Sequence, residues 1–147
     1  MNKVVDEQVP TAYAAENGPP DGTALLPVYN PLADRYDDIE PYVVAYFLID
    51  ASLEQYLADI PHDRVWHILT ERASTFATCW NQQNGTRKIF FLHEEIWKKV
   101  TRPTIPDGFH VVTANQDWYD CRASNLRLRR KVTLNELDAR QRSATCQ

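Results

Sequence analysis

Two β-rich runs, ASTFATCW and KIFFL, flank the polar segment NQQNGT, and within that segment Asn84 is followed by Gly85. Both residues of an Asn-Gly pair tolerate positive φ, which a tight antiparallel turn demands. The pair therefore predicts a hairpin with strands near residues 74 to 80 and 87 to 92. Directly after it comes HEEIWKKV, whose Ile96, Trp97 and Val100 fall at helical spacing and face inward, with Lys98 and Lys99 outward. The helix must end before Pro103. A hairpin running straight into an amphipathic helix places the chain in the α+β class.

The same rules extend in both directions. PYVVAYFLID carries a β-branched and aromatic run over residues 42 to 49 that reads as a buried strand. Ser52 and Gln55 then have the spacing of a capping box, with Leu53, Tyr56 and Leu57 on one helical face before Pro61. Val65, Trp66, Ile68 and Leu69 add apolar residues without a period that assigns an element. Beyond the central helix, FHVVTA and LRLRRKV read as short strands joined by the polar NQDWYDCRASN. Thr133 and Glu136 repeat the capping-box spacing and predict a last helix with Leu134 and Leu137 as its apolar contacts.

The N-terminal part follows another logic. Pro10, Pro19, Pro20, Pro27 and Pro31 stand among Gly, Asp, Asn and Ala in the first forty residues, a composition expected to sustain neither helix nor sheet. The expected organisation is an extended, Pro-rich acidic arm over residues 1 to 40 and a single α+β domain over residues 41 to 147. A length of 147 residues accommodates one core of that size. Charge divides along the same line, because residues 1 to 60 hold 11 acids against 2 bases and the remainder holds 14 bases against 9 acids. Two surfaces with different partners are implied.

Several classes are set aside by what the residues lack. No apolar run approaches the ~18 residues of a membrane span, and the acidic, Pro-containing start does not read as a secretory leader. Cys79, Cys121 and Cys146 show no C-x-x-C spacing, and His62, His67, His93 and His110 show no spacing that pairs ligands on one helical face. Reduced thiols and no cofactor or metal are expected.

From Leu92-His93 through Val111, Asn115, Asp117 and the run Asp120-Cys121-Arg122-Ala123-Ser124-Asn125-Leu126-Arg127, the chain resembles the HNH homing-endonuclease motif of bacteriophages in order and spacing. The resemblance reaches back to about residue 60 and leaves out the arm. It implies a ββα unit in which an aspartate-histidine pair binds a divalent cation and activates water. Here those positions are Val112 and Thr113. Valine cannot ligate a hard cation, and a threonine hydroxyl is no general base near neutral pH. His93 matches the first histidine of the motif. His110 shares a strand face with position 112 rather than 113, so it does not stand in for the missing base. The fold implied is thus a degenerate ββα, HNH-like unit, and Asn125, Asp120 and Leu126 are expected to serve turn and packing, with Arg122 and Arg127 pairing carboxylates such as Asp117.

Three functions stay open. A non-catalytic virion or phage-host adaptor protein would use the arm to wrap another virion protein or a host protein, with Tyr13, Leu25, Leu26, Val28, Tyr29 and Tyr36 as anchors. It would reside in the virion or the host cytoplasm. A nucleic-acid-binding protein without cleavage would neutralise DNA phosphates with Arg122, Arg127, Arg129, Arg130 and Lys131, with Trp118 and Tyr119 near enough to stack. A metal-dependent DNA-nicking endonuclease with displaced ligands ranks last.

Overall fold

The computed structural model describes residues 18–31, 40–61 and 65–132. A five-stranded sheet in the order β2-β1-β3-β4-β5 and a two-stranded ribbon, β6-β7, are built from β1 (Thr23–Tyr29), β2 (Val43–Asp50), β3 (His67–Glu71), β4 (Ser74–Gln83), β5 (Thr86–Phe91), β6 (Phe109–Thr113) and β7 (Leu126–Arg130). Two short helices, α1 (Glu54–Asp59) and α2 (Leu92–Val100), complete a mixed α+β architecture.

The Asn84-Gly85 turn forms as its chemistry requires, with φ of 53° and 78°, and joins β4 to β5 in antiparallel register from Gln83↔Thr86 to Thr78↔Phe91. α2 starts immediately after β5. Its acids Glu94 and Glu95 lie in the first turn and Lys98 and Lys99 in the last, complementing the helix dipole. Leu92, Ile96 and Trp97 bury its inner face, but Val100 is 55% exposed, so the inward placement expected for it is corrected. The apolar stripe ends one turn early because the chain leaves the helix at Thr101.

The expectation that the first forty residues contain no sheet fails at Thr23–Tyr29. β1 pairs with β2 along its whole length, and Leu26 and Val28 sit in the core at 6% and 0% exposure. Pro27 is tolerated there because β3 meets β1 only at Tyr29↔His67, which leaves β1 with one strand neighbour over most of its length. Asn30 then clamps the chain. Its backbone N–H donates to Tyr42 O at 3.1 Å, and its side-chain Oδ1 accepts from Tyr42 N at 3.0 Å.

Two further expectations are corrected. β3 arises where no element was assigned, since His67–Glu71 finds β4 across the tight Arg72-Ala73 turn. At Ser52 the capping box does not form. Residues Ala51–Leu53 make a 3-10 turn, α1 follows without a side-chain cap, and Gln55 instead donates to Asp59 at 2.8 Å. The other end of α1 is tied by Trp66 Nε1 donating to Leu57 O at 2.9 Å and by Asn81 Nδ2 donating to Ile60 O at 2.6 Å.

Among the described residues one hydrophobic core joins the two halves. Val28, Phe47, Ile49 and Leu57 from the N-terminal half meet Leu92, Ile96, Val111 and Leu126 from the C-terminal half. The β6-β7 connection docks on the outer edge of β2, where Leu48 N donates to Tyr119 O at 2.7 Å and Cys121 N donates to Leu48 O at 2.8 Å. An otherwise open sheet edge is thereby covered. The expected C-terminal helix with Leu134 and Leu137 lies outside the described residues. Among the described residues no helix is long and apolar enough to cross a membrane.

Candidate functional site

The long connection between β6 and β7 is held by its own polar side chains. Asn125 Nδ2 donates to Asp120 O at 2.8 Å and to Asn115 Oδ1 at 2.9 Å, and Asn125 Oδ1 accepts from Asn115 N at 3.3 Å. Asp117 Oδ1 caps Tyr119 N at 3.0 Å. Asp120, 1% exposed, receives Arg122 Nε at 2.9 Å and Arg122 Nη2 at 2.7 Å, a bidentate pair. Burial pushes the Asp120 carboxyl up, yet the hydrogen bonds and charge of Arg122 outweigh it and hold the group below its ordinary range. Arg122 thus pairs with a carboxylate of its own connection, Asp120. Asp50 Oδ2, from the end of β2, accepts from Ala123 N at 2.8 Å and ties the connection to the main sheet.

This scaffold presents one face of β6 to an open cleft of about 930 Å³ between the ribbon, α2 and the β3-β4 turn. His110 and Val112 lie on that face, opposite Arg129 and Arg127 in the β-register. Val111 and Thr113 alternate toward the interior and are 2% and 5% exposed. Thr113 Oγ1 is buried without a hydrogen-bond partner. Val112 and Thr113 thus separate: Val112 lines the cleft, and Thr113 does not.

From the start of α2, His93 reaches the cleft while itself only 5% exposed. Its ring stacks on Phe76 at 5.1 Å with 20° between planes, and meets Phe91 and Trp118 edge to face. Burial, with a smaller contribution from nearby His110, lowers its pKa from 6.5 to about 4, so the imidazole is neutral at pH 7. His110 is also held below its ordinary value, first by burial and then by Lys131 and Arg129. Its Nε2 is buried with no hydrogen-bond partner. Burial raises the Glu94 carboxyl against the opposing influence of Lys98 and Lys131.

Of the basic residues expected to bind nucleic acid, Arg129 and Lys131 line the cleft. Arg122 is committed to Asp120, and Arg127 donates to the carbonyls of Ser124 and Leu126 at 2.9 Å. Arg130 is exposed but lies off the cleft. Arg72, in the β3-β4 turn with φ of 52°, adds a cleft cation that the sequence reading missed. Nothing local marks it, because the turn that carries it forms only where β3 pairs with β4.

Of the residues expected to anchor a partner, Leu26 and Val28 are core residues and unavailable to any other molecule, and Leu25 and Tyr29 are half-buried in β1. Tyr13 and Tyr36 lie outside the described residues. Among the described residues no three His, Cys, Asp or Glu side chains converge so as to hold a metal ion. Cys79 and Cys121 are buried and form no disulfide. Compared with known protein families, curated proteins and solved structures, the chain gives no match.

Proposed function

We propose that the protein is a degenerate relative of the phage HNH endonucleases that binds nucleic acid through this cleft without cutting it. The observation that carries the reading is the placement of Arg72, Arg129 and Lys131 on a cleft whose strand face offers Val112 where the motif expects a metal-binding carboxylate. Cations grouped on a concave surface attract polyanions and release their counterions. The β6-β7 ribbon and its Asn125-Asp120 connection supply the two strands of the proposed ββα unit.

Divalent-cation chemistry, which the resemblance implies, finds no fitting donor set among the described residues. Valine offers no lone pair, and Thr113 points away from the cleft into the core. His93, which the resemblance matches to the first histidine of the motif, lines the cleft, and a neutral imidazole without the motif's aspartate-histidine pair does not make a hydrolytic centre.

The test is fluorescence anisotropy of labelled DNA with increasing salt. Three phosphate contacts predict a slope of log K against log salt of about −2 to −3. Absence of binding at low salt would sink the proposal. A plasmid-nicking assay with divalent cation and with chelator is the companion, and chelator-sensitive nicking would return the chain to the active nucleases.

A further inference from the structure

The cleft carries groups that a phosphate backbone does not explain. Trp118 and Phe76 meet at 4.9 Å with 70° between their rings and form an aromatic wall continuous with His93. Glu71 and Glu94 line the same space as Arg72, Arg129 and Lys131. Duplex backbone is gripped by cations, hydroxyls and amides that touch phosphate and sugar. Carboxylates repel that surface, and aromatic rings find no flat partner on it. A nucleobase offers what they lack, because it has a π-face for an aromatic wall and exocyclic amino groups that donate to a carboxylate.

One buried polar group on the cleft also awaits a partner. His110 Nε2 is buried with no hydrogen-bond partner, and His93, 5% exposed, lines the same space with its ring in the aromatic wall. Leaving such a group unmatched is destabilising, so a ligand with hydrogen-bonding edges is favoured over one with charge alone. The volume, about 930 Å³, falls within the roughly 300–1,000 Å³ of small-ligand sites and has room for a nucleotide together with its flanking phosphates.

Resting on the nucleic-acid reading, we infer that the cleft takes an unpaired nucleotide of a single-stranded polynucleotide, with its base against Trp118 and Phe76 and its flanking phosphates on Arg72, Arg129 and Lys131. His93 and Glu94 face the edge of that base. A base paired in a duplex has this edge occupied and cannot enter. The selectivity is therefore for strandedness before sequence.

Anisotropy with the full chain tests this on four labelled oligonucleotides of one sequence: single-stranded DNA, single-stranded RNA, the DNA duplex, and a single strand with abasic sites. Single strands should bind at least about tenfold more tightly than duplex, and the abasic strand should lose about tenfold, as expected for one stacked base. Trp118→Ala should lose a similar factor, and Trp118→Phe, which keeps a ring in the wall, should recover most of it. DNA and RNA arms tell which polymer is preferred, through contacts to the 2′-hydroxyl. Duplex binding equal to or tighter than single-strand binding overturns the inference and leaves the nucleic-acid reading standing, as does an abasic strand that binds undiminished. No binding of any oligonucleotide overturns both.

Discussion

Neutral His93 makes folding stability depend on pH in a calculable way. The group titrates near 6.5 when unfolded and at about 4 in the fold, chiefly through burial. Each unit is worth about 1.36 kcal/mol, so the whole shift is on the order of 3 kcal/mol. Its folded pKa is depressed, so between these two values the unfolded chain binds the extra proton. The associated stability is fully present above the unfolded pKa and is lost as pH falls through 6.5 toward 4. Between about pH 7 and about pH 5 the loss is roughly 2 kcal/mol. Carboxylates titrate in the same direction lower down, and a variant separates them. His93→Phe keeps a ring against Phe76 and Trp118 but removes the titration. Urea denaturation followed by circular dichroism at the two pH values should show the parent losing about 2 kcal/mol more than the variant. His110 remains in both proteins, so its own titration largely cancels in the difference. Parallel losses in parent and variant would refute the neutral, buried state of His93.

Asp120→Ala removes one partner of a buried pair and leaves Arg122, 31% exposed, without its bidentate acceptor. Discounting for that exposure, a loss of about 2–4 kcal/mol is expected in denaturant melts, and a double-mutant cycle with Arg122→Ala should show coupling above about 1 kcal/mol; additive effects would contradict the pairing. Gly85→Val forces a β-branched residue to a φ of 78° in a turn with open space around its Cβ, so the cost is backbone strain of about 1–2 kcal/mol, and an unchanged melting temperature would argue against the turn geometry. Val112→Asp places a carboxylate on the strand face shared with His110, in the cleft that His93 also lines. Zn²⁺ or Mn²⁺ should then raise the melting temperature of the variant and not of the parent, reversibly with chelator, and a metal-insensitive variant would place position 112 elsewhere.

The parts of this fold governed by local chemistry could be read from the chain. Asn84-Gly85 needs positive φ whatever surrounds it, and the Ile96-Trp97 face of α2 follows from helical period. What escaped reading was set by distant partners. TALLPVY looks like arm because Pro27 breaks the ladder in most strands, and only its pairing with β2 on one side makes it a strand. Ser52 and Gln55 have the right spacing for a capping box, but the turn entering α1 is 3-10, so the side chains never face the donors. At the candidate site the same division holds. That His110 and Val112 share a strand face was legible from simple alternation, whereas the burial of Thr113 and the arrival of Arg72 depend on strand register and on a turn some forty residues upstream in the chain.

The residues that carry the resemblance to the nuclease motif therefore do two separable jobs. Asn115, Asp117, Asp120, Arg122 and Asn125 spend their polar groups on one another and on the backbone of their own loop, and the loop in turn closes the β2 edge through Leu48. None of these five lines the cleft. The face of β6 that does carries Val112 and His110 apart from that network, so a substitution at position 112 leaves the loop's hydrogen bonds in place. Substitutions in the loop network should then move stability at constant affinity per folded molecule, and substitutions at Arg129 or Lys131 should move affinity at nearly constant stability. A variant set in which the two quantities always changed together would show that the cleft and the network are one structure and not two.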